Sequence, residues 1–156
     1  MKKKSIRPSL LFTLDIFNKT CRRVPCHPFL KLLRPARAIL QKEKRIHRYK
    51  IYRLELTFVG EKRITTLNTM YHHKNRPTDV IALSYYDKKM YDSFVGEIFI
   101  CVPYALKQAK KIGQSLTEEL RFLFVHGLLH CFGYDHQKPK EEAHMQNLTY
   151  RILGRM

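Results

Sequence analysis

The sequence predicts an α+β fold, a small mixed sheet packed with helices around one central buried helix. Three observations predict it. Segments of strand period and helix period mix without strict alternation. The run ELRFLFVHGLLHC is apolar nearly all round, which marks a helix enclosed by other elements. The 156 residues suit one domain spanning 1–156, large enough to bury a substantial core.

The elements follow in order. Leu10 to Phe17 reads as a first strand. From Phe29 to Leu40 the apolar residues Leu32, Leu33, Ala36 and Leu40 recur at helical spacing, and Pro35 is expected to kink that helix or push its start downstream. IYRLELTF alternates, with Tyr52, Leu54, Leu56 and Phe58 on one face and Arg53, Glu55 and Thr57 on the other, as a half-buried strand does. After Gly60, Ile64, Leu67, Met70 and Tyr71 form one stripe of a short helix. The loop HHKNRP leads to TDVIALSYY, whose Val80, Ile81 and Leu83 suit a strand buried on both faces. DKKMYDS is a polar connection and GEIFIC another strand. Pro103 opens a helix that turns Ala105, Leu106, Ala109 and Ile112 inward and that Gly113 can close. Ser115 and Glu118 form a capping box, so the apolar helix starts at Leu116. A last helix, from about Lys140 to Leu153, carries Met145, Leu148 and Ile152 on one side.

The charge is uneven. The chain carries +17, and residues 1–50 alone hold 15 basic and 2 acidic side chains, a strongly basic N-terminal part. Such a field attracts polyanions, nucleic acid or anionic membrane, unless it is only a solvated face. No stretch of about 20 apolar residues is present to span a bilayer. The start MKKKSIRPSLLFTLDIF has the charged opening of a secretory leader, but Asp15 interrupts it and no small-residue cleavage site follows, so it reads as mature chain. Cys101 and Cys131 lie in apolar segments and are expected as reduced thiols. Cys21, Cys26 and His27 are a weak metal pattern without a fourth ligand.

The strongest signal is HGLLHCFGYDH, from His126 to His136. Residues four apart share a helix face, so His126 and His130 project their rings together. Gly133 can take the left-handed backbone that ends the helix, and the turn can bring His136 back to the pair. Three neutral imidazoles suit one zinc ion and leave a fourth position for water. The competing reading is three core histidines satisfied by ordinary hydrogen bonds. His144 is expected on the surface of the last helix, and Asp135 either orients a ligand histidine or caps the turn. The spacing is similar to the zinc-peptidase pattern H-E-x-x-H-x-x-G-x-x-H, which makes the fold zincin-like, but Gly127 stands where a peptidase places its general base.

At these residues the chain resembles the YbeY family of metal-dependent endoribonucleases, whose signature is H-G-x-L-H-L-x-G-Y-D-H. His126, Gly127, Leu129, His130, Gly133, Tyr134, Asp135 and His136 are in register, with Cys131 in place of a leucine. LNTMYHHKNRPTDV and GEIFIC are similar to two further family segments, so the resemblance covers roughly residues 50–153. It implies a cytoplasmic hydrolase with one zinc on His126, His130 and His136. It further implies single-stranded RNA rather than DNA as substrate, maturation of ribosomal RNA including the 16S 3′ end, and ribosome quality control at the small subunit. It implies no membrane partner and leaves oligomeric state open. Where the family has a phosphate-facing arginine this chain has His72, the expected catalytic-loop cation, with Arg76 and Lys74 as substrate-binding neighbours. The rivals are a peptidase, which Gly127 disfavours, and a non-catalytic zinc-containing ribosome-binding assembly factor, which needs a fourth ligand.

Overall fold

The computed structural model describes residues 12–47, 50–86 and 93–155. Nine elements follow in chain order: β1 (Phe12–Asn18), α1 (His27–Lys42), β2 (Tyr52–Val59), α2 (Glu61–His72), β3 (Val80–Ser84), β4 (Phe94–Cys101), α3 (Val102–Ile112), α4 (Leu116–Cys131) and α5 (Pro139–Leu153). The strands make one mixed sheet in the order β1-β2-β4-β3. β1, β2 and β4 are parallel, and β3 closes one edge antiparallel to β4 with Ile81 opposite Phe99. This is the α+β arrangement expected.

Period-two alternation divides the sheet. Leu14, Ile16, Leu54, Leu56, Phe58, Ile98 and Ile100 join the main core beside Phe29 of α1, Phe124 and Leu128 of α4 and Leu148 of α5. Val59, Ile81 and Phe99 face the other way, where Ile64 and Leu67 of α2 cover them. Each fully buried aliphatic or aromatic side chain contributes roughly 1.5–3 kcal/mol, so α4, with Leu120, Phe124, Val125, Leu128 and Leu129 all at 1% exposure or less, is the main anchor.

Two glycines set how closely α4 lies on the sheet. A Cβ on Gly127 would stand 2.8 Å from Ile98 Cγ2, and one on Gly96 would stand 2.5 Å from the Leu83 carbonyl oxygen and 2.6 Å from Cys131 Sγ. Position 127 thus faces strand β4 at van der Waals limit, which explains why it has no side chain.

Several expectations are corrected. Strand β1 extends to Asn18, and Leu10 and Leu11 lie outside the described residues, as does the connection at 87–92. Pro35 neither breaks α1 nor delays its start. The helix begins upstream, at His27, with a proline in its first turn, and Phe29, Leu32, Leu33, Ala36 and Leu40 are all buried. Burial of that stripe outweighs the roughly 3 kcal/mol of an interior proline. β3 is not buried on both faces: only Ile81 is buried, because Val80 and Ala82 turn to a face that borders an open cleft. Met70, Tyr71 and Ile112, each expected to face inward, are instead 61%, 48% and 64% exposed near the C-terminal ends of α2 and α3.

Candidate metal centre and cleft

The capping box forms as its sequence requires. Ser115 Oγ accepts from the Glu118 N–H and the Glu118 carboxylate accepts from the Ser115 N–H, which fixes the start of α4 and the rotation of every residue along it. His126 and His130 then project from adjacent turns with ring centroids 4.7 Å apart and their Nε2 atoms 3.1 Å apart. α4 ends at Cys131, Gly133 takes φ +80°, and the turn returns His136 to 5.5 Å from His126 and 5.1 Å from His130 by ring centroids. One nitrogen from each of the three lies within 4.8 Å of the others. The three histidines come together as expected.

The rings are held in a form that can bind a cation. His130 Nδ1 lies 2.9 Å from the Tyr134 carbonyl oxygen, which can only accept, so the ring donates there and its Nε2 keeps a lone pair. Tyr134 is itself fixed, 6% exposed, with the Arg45 guanidinium 4.5 Å above its ring. Burial, aided by the other two imidazoles, pushes His126 down to about 4, and burial also lowers His130. Two nitrogens on a tetrahedral zinc at about 2.0–2.1 Å each lie roughly 3.3 Å apart, close to the separation of the two Nε2 atoms. The donor set therefore fits a divalent zinc-like ion with three protein ligands.

Asp135 caps the turn, accepting the His136 N–H at 2.7 Å, while the Tyr134 carbonyl does the orienting. His144 is on the surface, 3.2 Å from Glu43. Among the described residues Cys21, Cys26 and His27 form no metal group, and Cys21 is exposed. Cys131 faces the sheet, its thiol pushed up to about 12 by burial.

The imidazoles line a cleft of about 530 Å³ whose opposite wall is His72, Asp79, Val80 and Ala82. His72, Val80 and Ile81 continue into a second cavity of about 350 Å³, where Lys74 and Arg76 lie. So His72 shares the cleft with the histidine cluster, whereas Lys74 and Arg76 line the adjoining space only. Asn68, 4% exposed, holds their loop: its Nδ2 donates to the Arg76 carbonyl and its own carbonyl accepts the Lys74 N–H.

Comparison with known proteins decides the relationship. The family model described as Endoribonuclease YbeY matches residues 17–156. This chain belongs to the YbeY family. A protein of Ureaplasma urealyticum named Endoribonuclease YbeY is 42% identical over 102 residues, covering 65% of this chain and 66% of that one. One of Streptococcus mutans with the same name is 39% identical over 120 residues, 64% of this chain and 73% of that one. The solution structure of TM1509 from Thermotoga maritima has the same fold, with a TM-score of 0.58 at 21% identity, covering 90% of this chain and 89% of the other. The YbeY match reaches back to residue 17, so much of the basic N-terminal part belongs to the family region.

Two residues of the cleft carried no sequence role. Asp79 stands in the wall, with Oδ1 accepting from the Val80 N–H and Oδ2 from Gln108 Nε2. Its place in the family-like segment PTDV was the available signal. Phe122, stacked on His126 at 6.2 Å and 18°, gave none, because an aromatic in an apolar helix reads as core.

Proposed function

We propose that this protein is a zinc-dependent endoribonuclease, one domain over residues 1–156, that holds one ion on His126, His130 and His136. Its substrate is single-stranded RNA, specifically ribosomal RNA precursor at the small subunit, matured at its 3′ end in the cytoplasm as part of ribosome quality control. The observation that carries this reading is the convergence of three imidazole nitrogens within 4.8 Å, in a chain whose relatives are named endoribonucleases.

Bound there, zinc would supply Lewis acidity to a phosphoryl oxygen and to a water molecule. The chain's own residues do the rest. The Tyr134 carbonyl holds the His130 proton on Nδ1, and burial keeps His126 neutral, so both present lone pairs near neutral pH. His72 stands across the cleft where it can contact a phosphate oxygen, and Lys74 and Arg76 can hold a flanking phosphate. Position 127 lies against Ile98 and offers no carboxylate, which counts against peptide hydrolysis. The assembly-factor alternative needs a fourth protein ligand, and among the described residues the group has three.

The test combines metal analysis with cleavage of a single-stranded RNA, with and without chelator, for wild type and His126→Ala. Chelation and substitution are each expected to abolish cleavage, while low-salt RNA retention persists. Equal cleavage by wild type and variant would refute the hydrolase.

A further inference from the structure

The cleft does not end at the imidazoles. On its α5 side a further cavity of about 280 Å³ shares Phe122, His126 and His136 with the histidine cleft and is walled by Glu142, Met145 and Gln146. Three spaces thus follow one another through shared residues: Lys74 and Arg76 at one end, the three histidines in the middle, Glu142 at the other. Two cations line the first space, Asp79 accompanies the histidines in the middle, and Glu142 is the one Lys, Arg, Asp or Glu lining the last.

A phosphate backbone that lies well against Lys74 and Arg76 is repelled by Glu142, so the part of a substrate entering the α5-side cavity carries no negative charge. That leaves a base or a ribose. Phe122, half-buried, offers an aromatic surface that suits a flat ring better than a puckered sugar, over a floor in which Met145 is buried. At about 280 Å³ the space is just below the roughly 300 Å³ where sites for drug-sized ligands begin, so it takes one ring system and little more. The Glu142 carboxylate has no hydrogen-bond or ion-pair partner among the described residues. An ionised carboxylate only accepts, so it favours a base edge bearing an amine.

We propose that the cavity between α4 and α5 is a nucleobase subsite in which Glu142 selects an amine-bearing base such as cytosine over uracil. The inference rests on the RNA-hydrolase reading for its substrate class, and its test reads binding, not turnover. Pentamers of oligo-C, oligo-U and oligo-deoxy-C, equal in charge, are titrated against the full chain in chelator, for wild type and Glu142→Gln, with matching thermal melts as a folding control. Wild type is expected to bind oligo-C about tenfold tighter than oligo-U, the effect of one charge-assisted hydrogen bond, and Glu142→Gln to bring the ratio close to one. Equal wild-type affinities, a ratio unchanged in Glu142→Gln, or discrimination that follows ribose against deoxyribose instead of the base would each overturn the subsite. Cleavage by the metal-loaded protein is scored separately. Base discrimination without cleavage removes the hydrolase and keeps the subsite, and cleavage without discrimination does the reverse.

Discussion

The two walls of the cleft are built on opposite principles. The α4 wall is local and backed by core: His126 and His130 are half-buried on the helix, and His136 is exposed on the turn. Its rings come from one helix and one glycine turn, Leu128 and Leu129 between them are fully buried, and a backbone carbonyl fixes the His130 ring. The other wall is exposed at its α2 end: every residue from Met70 to Pro77 is open to solvent, and the loop is held chiefly through Asn68. A site that must present neutral nitrogens in one geometry gains from burial, which favours the uncharged form. A site that must meet a moving polyanion gains from solvated charge, which steers at little desolvation penalty. Damage to the first wall should be all-or-none, and damage to the second graded and salt-sensitive.

The largest expected effect is on the first wall. His130→Ala removes a ring that is both a proposed ligand and the partner of the Tyr134 carbonyl. RNA cleavage should fall by well over about 100-fold, since loss of an outer partner alone costs roughly 10–100-fold in metal affinity or activity. Metal content measured alongside cleavage checks it. Next, Gly127→Ala places a Cβ 2.8 Å from Ile98 Cγ2. Such overpacking is expected to destabilise by about 1–3 kcal/mol in denaturant titration. A neutral result would show that α4 can lift from the sheet, and the contrast between rigid and yielding walls would go with it.

The third effect is on pH dependence. His126 titrates near 4 when folded and at its ordinary value near 6.5 when unfolded, so between these values the unfolded chain binds the extra proton. Metal-free protein should therefore lose up to about 3 kcal/mol as pH falls from 6.5 to 4, with this contribution flat above about 7. Denaturant titrations at several pH values in chelator check the sign, and a His126→Phe variant should reduce the slope to the share left by His130, which burial also lowers. Metal-loaded protein should hold its stability to lower pH until protons displace the ion.

The smallest effects lie on the second wall. Arg76→Ala should weaken RNA binding severalfold, raising KM more than lowering kcat, with a difference that shrinks as salt rises. His72→Arg should raise cleavage modestly, because a guanidinium grips a phosphate bidentately where an imidazole makes one contact. An unchanged kcat/KM would show that His72 takes no part.

The wall that tolerates no damage is also the one most legible in the chain. His126, His130, Gly133 and His136 lie within eleven residues, and helix period plus one left-handed glycine suffice to converge three rings, because both rules act over a single turn of backbone. The capping box set the start of α4, and alternation set which side of β2 is core, for the same local reason.

What only the tertiary structure decided is whatever depends on distant segments meeting. Val80 to Leu83 look like an interior strand by composition, yet β3 is an edge because its place beside β4 is fixed by pairing, which side-chain pattern does not encode. Pro35 is absorbed because core burial along α1 outweighs its local penalty. The position of Asp79 opposite the histidines, the separation of Arg76 from the same space and the cavity that Glu142 and Met145 share with His136 all follow from packing of β3 and α5 against α4. Periodicity fixes which way a residue turns from its own axis, whereas what it then faces is set by the close packing of elements far apart in the chain.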